Sequence, residues 1–294
     1  MVYSEINKKI FYGSNDQQFV RCTRPASNTV LPVLVVIHGG YWKQSHTLDS
    51  YATKEIAEYF KNKPVVVWDI EYRRLAFAQS QGDINGLDMV SDVAQAMALI
   101  RNVAEQYGLD LNNIVLMGHS AGGHLAACAG SQGEQDQHWP FFRANSLVPQ
   151  KMILVSAVLN LEMAMMGSGL QGIGQVSQPE QVEHLLSVEQ RLSQSLLSVI
   201  CPSQRQPTAN EIILIHGDHD EAVPHSQTLD YQQRWSHLNL KKIIYPGCGH
   251  FGMFQMKGTT QENYGKAIYW NEFIAEIERA ISNAPSAITV KNLG

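Results

Sequence analysis

The chain has 294 residues and a formal net charge of −5, from 22 basic and 27 acidic side chains. No basic stripe stands out, which argues against a nucleic-acid partner. Hydrophobic residues make up 44% and charged residues 17%, a balance that excludes a disordered chain and fits a single globular domain over residues 1–294. The stretch from Met1 to Gly13 lacks an apolar run behind a positive start, so no signal peptide is expected. No apolar run approaches the roughly 18 residues of a membrane span. Cys22, Cys128, Cys201 and Cys248 are scattered without a C-x-x-C pair. They read as free thiols in a reducing compartment, which makes a cytoplasmic protein the expectation.

The first patterned segment, 9–24, predicts one or two antiparallel edge strands. Apolar runs at 33–37 and 65–68 then predict buried strands, each too short for a helix and each followed by turn residues. Val90, Val93, Met97, Ile100 and Ala104 share one helical face, and Gly108 is its stop signal. Further strands are predicted at 114–117, 152–155, 212–215 and 241–245. Trp270, Phe273, Ile274, Ile277 and Ile281 form a last helical face. This alternation implies an α/β fold with a mainly parallel sheet and helices on both faces.

One crossover breaks the rhythm, because more than fifty residues separate the strands at 152–155 and 212–215. An ordinary connection is far shorter. The segment opens with a Met- and Gly-rich piece around Met163, Met165 and Met166. It continues with an amphipathic stretch placing Val182, Leu185, Leu186, Leu192, Leu196 and Ile200 on one side. Residues 157–208 are therefore expected to form a small cap over the C-terminal edge of the sheet. The G-x-G-x-x-G match at Gly167, Gly169 and Gly172 does not directly follow a predicted strand, so it reads as a cap segment and not a dinucleotide site.

After the strand at 114–117 comes Gly118-His119-Ser120-Ala121-Gly122, a G-x-S-x-G pattern. A reactive serine must project from a sharp strand-to-helix turn, and small residues two positions away let strand and helix pass without collision. Ser120 is thus a candidate nucleophile, with the Ala121 N–H facing a developing oxyanion. A serine needs a base and the base needs an orienting carboxylate. The strand at 212–215 runs into Asp220, and the next strand runs into His250, both on strand-end loops. Asp218 is the rival carboxylate; Asp220 is preferred because it sits deeper in its loop. His216, His219 and His225 lack the i, i+4 pairing of helical metal ligands, so neither a metal nor any cofactor is expected. Upstream, His38-Gly39-Gly40-Tyr41-Trp42 follows a strand, and its paired glycines suit oxyanion-hole donors.

Together, His38-Gly39-Gly40-Tyr41-Trp42, Tyr72-Arg73, the Ser120 motif and Gly217-x-x-Asp220 resemble the α/β-hydrolase superfamily of esterase and lipase type. The H-G-G-x-W element is most similar to the serine-dependent kynurenine formamidases (arylformamidases). The resemblance covers roughly residues 30–251, the cap excepted. It implies an α/β-hydrolase fold, a triad of Ser120, Asp220 and His250, and an oxyanion hole of Gly39, Gly40 and Ala121. Tyr41, Trp42 and His119 are then the expected substrate contacts, and in an arylformamidase Trp42 would stack on the substrate ring. The implied activity is cleavage of a small-molecule carboxylic ester or aryl formamide. Rival readings are an arylformamidase acting on N-formylkynurenine, a peptidase of the same fold and a non-catalytic binding protein. A homodimer is an allowed arrangement that the sequence does not decide.

Overall fold

A computed structural model describes residues 2–75, 84–131, 147–166, 176–186, 194–254 and 269–282. The G-x-G-x-x-G match, Leu192 and the last dozen residues lie outside that set. Strands β1 (Ile6–Phe11) and β2 (Phe19–Arg24) make the antiparallel hairpin expected near the N-terminus. The other strands are β3 (Leu31–Ile37), β4 (Val66–Ile70), β5 (Leu109–His119), β6 (Lys151–Val155), β7 (Glu211–Gly217) and β8 (Leu240–Tyr245). They form one sheet in the order β1-β2-β4-β3-β5-β6-β7-β8, in which every pair from β4 to β8 is parallel.

The period-2 alternation of strand side chains splits the core in two. Val33, Val35 and Ile37 point to one face, with Ile114, Leu116, Ile212 and Leu214. Helices α2 (Gly86–Tyr107) and α3 (Ala121–Ala129) cover that side. Leu34, Val36, Val115, Met117, Ile213 and Ile215 point to the other face, beneath α1 (Lys54–Phe60) and α8 (Trp270–Ile281). Because both faces are buried, these strands read as continuous apolar runs. The predicted face of α2 is buried throughout. Asn85 caps its start in a reciprocal capping box with Asp88, and Gly108 ends it in the left-handed conformation at φ 61°.

The long connection from β6 to β7 carries α4 (Leu161–Met166), α5 (Pro179–Leu186), α6 (Gln194–Ile200) and a 3-10 turn at Pro202–Gln204. Val182, Leu185, Leu186 and Ile200 are buried in the same core as α2. Helix α7 (Ser226–Arg234) links β7 to β8. All four cysteines are free and buried. No helix among the described residues is long and apolar enough to cross a membrane.

Candidate active site

Strand β5 ends at His119 and α3 begins at Ala121, so Ser120 alone makes the turn. Its backbone is held at φ 57°, ψ −122°, a conformation that costs a non-glycine residue about 1–3 kcal/mol. Three hydrogen bonds hold it there: Ser120 N–H donates to the Val155 carbonyl at 2.9 Å, and the Ser120 carbonyl accepts from the N–H groups of His124 at 3.0 Å and Val158 at 3.4 Å. The flanking glycines are steric necessities. A Cβ on Gly118 would collide with the Gly122 carbonyl, and one on Gly122 would collide with the carbonyls of Ile37 and His38.

The loops after β7 and β8 meet beside this turn. His250 Nδ1 lies 2.8 Å from Asp220 Oδ2. The other oxygen, Oδ1, accepts from the N–H groups of Ala222 at 3.0 Å and Val223 at 2.8 Å. Burial opposes charge on Asp220, but the nearby His250, then hydrogen bonds from His216 and His250, outweigh it and hold the carboxyl well below its ordinary range. Asp218 does a different job: its Oδ1 accepts from the Gly247 N–H at 2.6 Å. Asp220 and not Asp218 therefore meets His250. Burial first, then Asp220 and Asp218, push the Cys248 thiol up to about 11, so it is no ready thiolate.

The loop after β3 has a run of positive φ values: 109° at Gly40, 50° at Tyr41 and 57° at Trp42. Among the described residues, no hydrogen bond takes up the N–H of Gly39, Gly40 or Ala121. Buried backbone donors are seldom left unpaired, and a group of them suits a developing anion. A polar cluster that sequence reasoning missed supports the loop. His38 Nε2 lies 2.9 Å from Glu71 Oε1 and its Nδ1 lies 2.9 Å from the Gly39 carbonyl. Tyr72 stacks on the His38 ring and donates its hydroxyl hydrogen to the His38 carbonyl at 2.9 Å. Arg74 pairs with Glu71. Burial, then Arg74, presses His38 towards its neutral form, with a pKa lowered to about 3. The one signal for this cluster was the charged run Glu71 to Arg74 at the end of a buried strand.

Two expected substrate contacts need correction. Trp42 is 0% exposed and meets His124 edge-on at 5.3 Å between ring centroids. Its positive φ turns the ring into the core, so it cannot stack on a substrate without rearrangement. His119 is also 0% exposed. Its Nδ1 lies 2.9 Å from the Tyr51 hydroxyl and its Nε2 lies 3.0 Å from the His250 carbonyl, so both nitrogens are occupied. Tyr41 remains part-exposed. Its hydroxyl lies 2.6 Å from Ser177 Oγ and donates to the Ala222 carbonyl at 3.0 Å. Lys43 bonds Gln178 from the same loop. Residues 177 and 178 of the long connection thus sit against the loops that carry Gly40 and Asp220.

A family model described as BD-FAE matches residues 22–235. The isoprenylcysteine alpha-carbonyl methylesterase ICME of Arabidopsis thaliana is 33% identical over 127 residues, 42% of this chain and 27% of that protein. Esterase LipC of Mycobacterium tuberculosis is 25% identical over 285 residues, 90% of this chain and 64% of that protein. The chain thus spans less than two thirds of either relative. The thermophilic esterase Est2 of Thermogutta terrifontis superposes with a TM-score of 0.68 at 19% identity, covering 96% of this chain and 95% of that one. A bifunctional GH43-CE protein of Bacteroides eggerthii gives 0.69 at 19% identity, over 95% of this chain and 38% of that one. These likenesses, with the strand order, make the fold an α/β-hydrolase fold.

Proposed function

Because the chain belongs to the BD-FAE family, we propose that it is a serine hydrolase that cleaves a carboxylic ester of a small substrate by two-step acyl transfer. The observation that carries this reading is the 2.8 Å hydrogen bond between Asp220 and His250, on the loops that flank the Ser120 turn. Asp220 accepts from Nδ1–H of His250, which leaves Nε2 with its lone pair for the Ser120 proton. Ser120 Oγ attacks the ester carbonyl as His250 takes that proton. The carbonyl oxygen becomes an oxyanion that collects the N–H groups of Gly39, Gly40 and Ala121, each such donor contributing about 3 kcal/mol to lowering the barrier. The C–O bond to the alcohol then breaks and the alcohol leaves with the proton from His250. Water gives up a proton to His250, attacks the acyl-enzyme, and the carboxylic acid departs as Ser120 is restored.

Residues 157–208 act as the cap in this reading, supported by the contacts of Ser177 and Gln178 with the site loops. An ester is preferred over an aryl formamide for two reasons. Trp42, central to the formamidase likeness, is buried, and both named relatives are esterases. The test is turnover of p-nitrophenyl acetate with labelling by a fluorophosphonate probe. Wild type should turn over and label, while Ser120→Ala should do neither. Near-wild-type turnover by Ser120→Ala would remove the mechanism, and wild type that neither labels nor turns over would leave a binding protein.

A further inference from the structure

His119 precedes Ser120 in the chain, and its side chain enters a fully buried cluster. The ring packs against His250, Phe251 and Phe254, with centroids 4.6, 5.4 and 4.8 Å away. Its Nε2 faces the His250 carbonyl at 3.0 Å. A carbonyl only accepts, so Nε2 must carry the hydrogen. In the neutral ring Nδ1 then holds a lone pair, and it accepts the phenolic hydrogen of Tyr51 at 2.9 Å. Burial, then the adjacent His250, keeps the ring neutral and holds its pKa well below the ordinary value.

Tyr51 reaches a third loop as well. A Cβ on Gly39 would collide with the Tyr51 hydroxyl and the His119 carbonyl. One buried chain of contacts therefore touches the Gly39 loop, the Ser120 turn and the loop of His250.

We propose that Tyr51 and His119 form a positioning relay that registers the main chain of His250 against Ser120, with Tyr51 supplying the donor that anchors the Nδ1 side of the His119 ring. This rests on the reading of Ser120 and His250 given above. Without the phenol, the Nδ1 lone pair is buried with no donor and the ring loses its second anchor. The ring can then tilt off the His250 carbonyl, the loop shifts, and the base is misaimed. Misplacement of a reacting group by about 1 Å costs about a hundredfold in rate. At metal sites, loss of an outer hydrogen bond that orients a ligating histidine costs about 10–100-fold, and a loss at the low end of that scale is expected here. Tyr51 and His119 are both buried, so the loss should fall on kcat.

The test compares p-nitrophenyl acetate kinetics of wild type, Y51F, H119Q, Y51F/H119Q and H119A, with S120A alongside. Y51F keeps the ring packing and removes one oxygen. It should lower kcat about tenfold and leave KM within about twofold. The glutamine amide of H119Q can donate to the His250 carbonyl and has no acceptor at the Nδ1 position for Tyr51 to anchor, so adding Y51F there should cost under about threefold. Equal Y51F losses in both backgrounds, or an unchanged kcat in Y51F, overturn the relay. If Y51F does not fold, H119Q against H119A decides: about tenfold higher kcat in H119Q supports the relay, and equal values overturn it. An active S120A would instead sink the site reading on which the relay depends, a different failure with a different signature.

Discussion

His216 Nε2 lies 3.2 Å from Asp220 Oδ2, the same oxygen that receives Nδ1 of His250 at 2.8 Å. His216 also lies 2.7 Å from the Val223 carbonyl and 2.8 Å from Thr228 Oγ1. One carboxylate oxygen is thus fixed between two imidazoles, and its partner oxygen is held by two backbone N–H groups. Both oxygens of Asp220 thus accept from named donors, which orients the carboxylate towards His250.

That sharing predicts the outcome of Asp220→Asn. With Oδ1 kept as the acceptor of the two backbone hydrogens, the new NH2 group faces two ring nitrogens that were donors. His250 must change tautomer, while His216, whose Nε2–H stays on the Val223 carbonyl, is left with a donor facing a donor. Turnover should fall by about 10³–10⁴-fold, the scale expected when the base carries its proton on the wrong nitrogen. The melting temperature should also fall, by roughly 3–8 °C, because buried charged hydrogen bonds are lost. Kinetics together with a thermal melt check both halves; a normal kcat would show that Asp220 does not orient the base.

The backbone of Ser120 predicts a trade between activity and stability. Glycine tolerates φ 57°, ψ −122° without the penalty a side chain incurs. Ser120→Gly should therefore melt roughly 2–6 °C above Ser120→Ala, and neither should turn over substrate. Equal melting temperatures for the two variants would mean that the turn carries no such strain.

The glycines of the site should separate sharply on substitution by alanine. Gly118→Ala and Gly122→Ala drive a methyl group into backbone carbonyls that cannot swing aside, and each should destabilise by more than about 3 kcal/mol. Gly249 has only the His219 carbonyl near, at 3.7 Å from a built Cβ, so Gly249→Ala should stay within about 0.5 kcal/mol of wild type. Denaturant melts of the three variants are the measurement. Parity between Gly249→Ala and Gly122→Ala would contradict the packing described.

Asp69 predicts a pH effect on stability. It lies buried in β4, and its Oδ2 has no hydrogen-bond partner among the described residues. Burial raises its pKa to about 8, with Arg21 opposing. Between the unfolded value near 3.8 and about 8, the folded chain holds a proton that the unfolded chain releases. Stability from this group is therefore full at low pH and declines as pH rises through that window, then levels off. Asp69→Asn mimics the protonated form. It should flatten that decline and be more stable than wild type at pH 8, with little difference at pH 4. Chemical denaturation at several pH values checks this, and parallel curves for the two proteins would refute it.

The sequence by itself determined the features that rest on local physics. Strand positions followed from apolar runs, because both faces of a parallel sheet are buried. The Ser120 turn followed from Gly118 and Gly122, since the collisions a Cβ would meet at Gly118 are with residues only a few positions along the chain. Chain order and place in the strand-end loops singled out Asp220 and His250, because strand-end loops of a parallel sheet share one edge.

Only the tertiary structure decided what each side chain faces. Trp42 and His119 belong to motifs rich in site residues, so sequence placed them against the substrate. The fold buries both, because a positive-φ run and a strand end can aim a ring either way and the packing around them settles which. Tyr51 lies 68 positions from His119, and His119 lies 131 from His250; no periodicity links such pairs. At the carboxylates loop depth already favoured Asp220 over Asp218, and the register of β7 against β8 supplies the partners, Asp218 meeting the Gly247 N–H and Asp220 meeting His250.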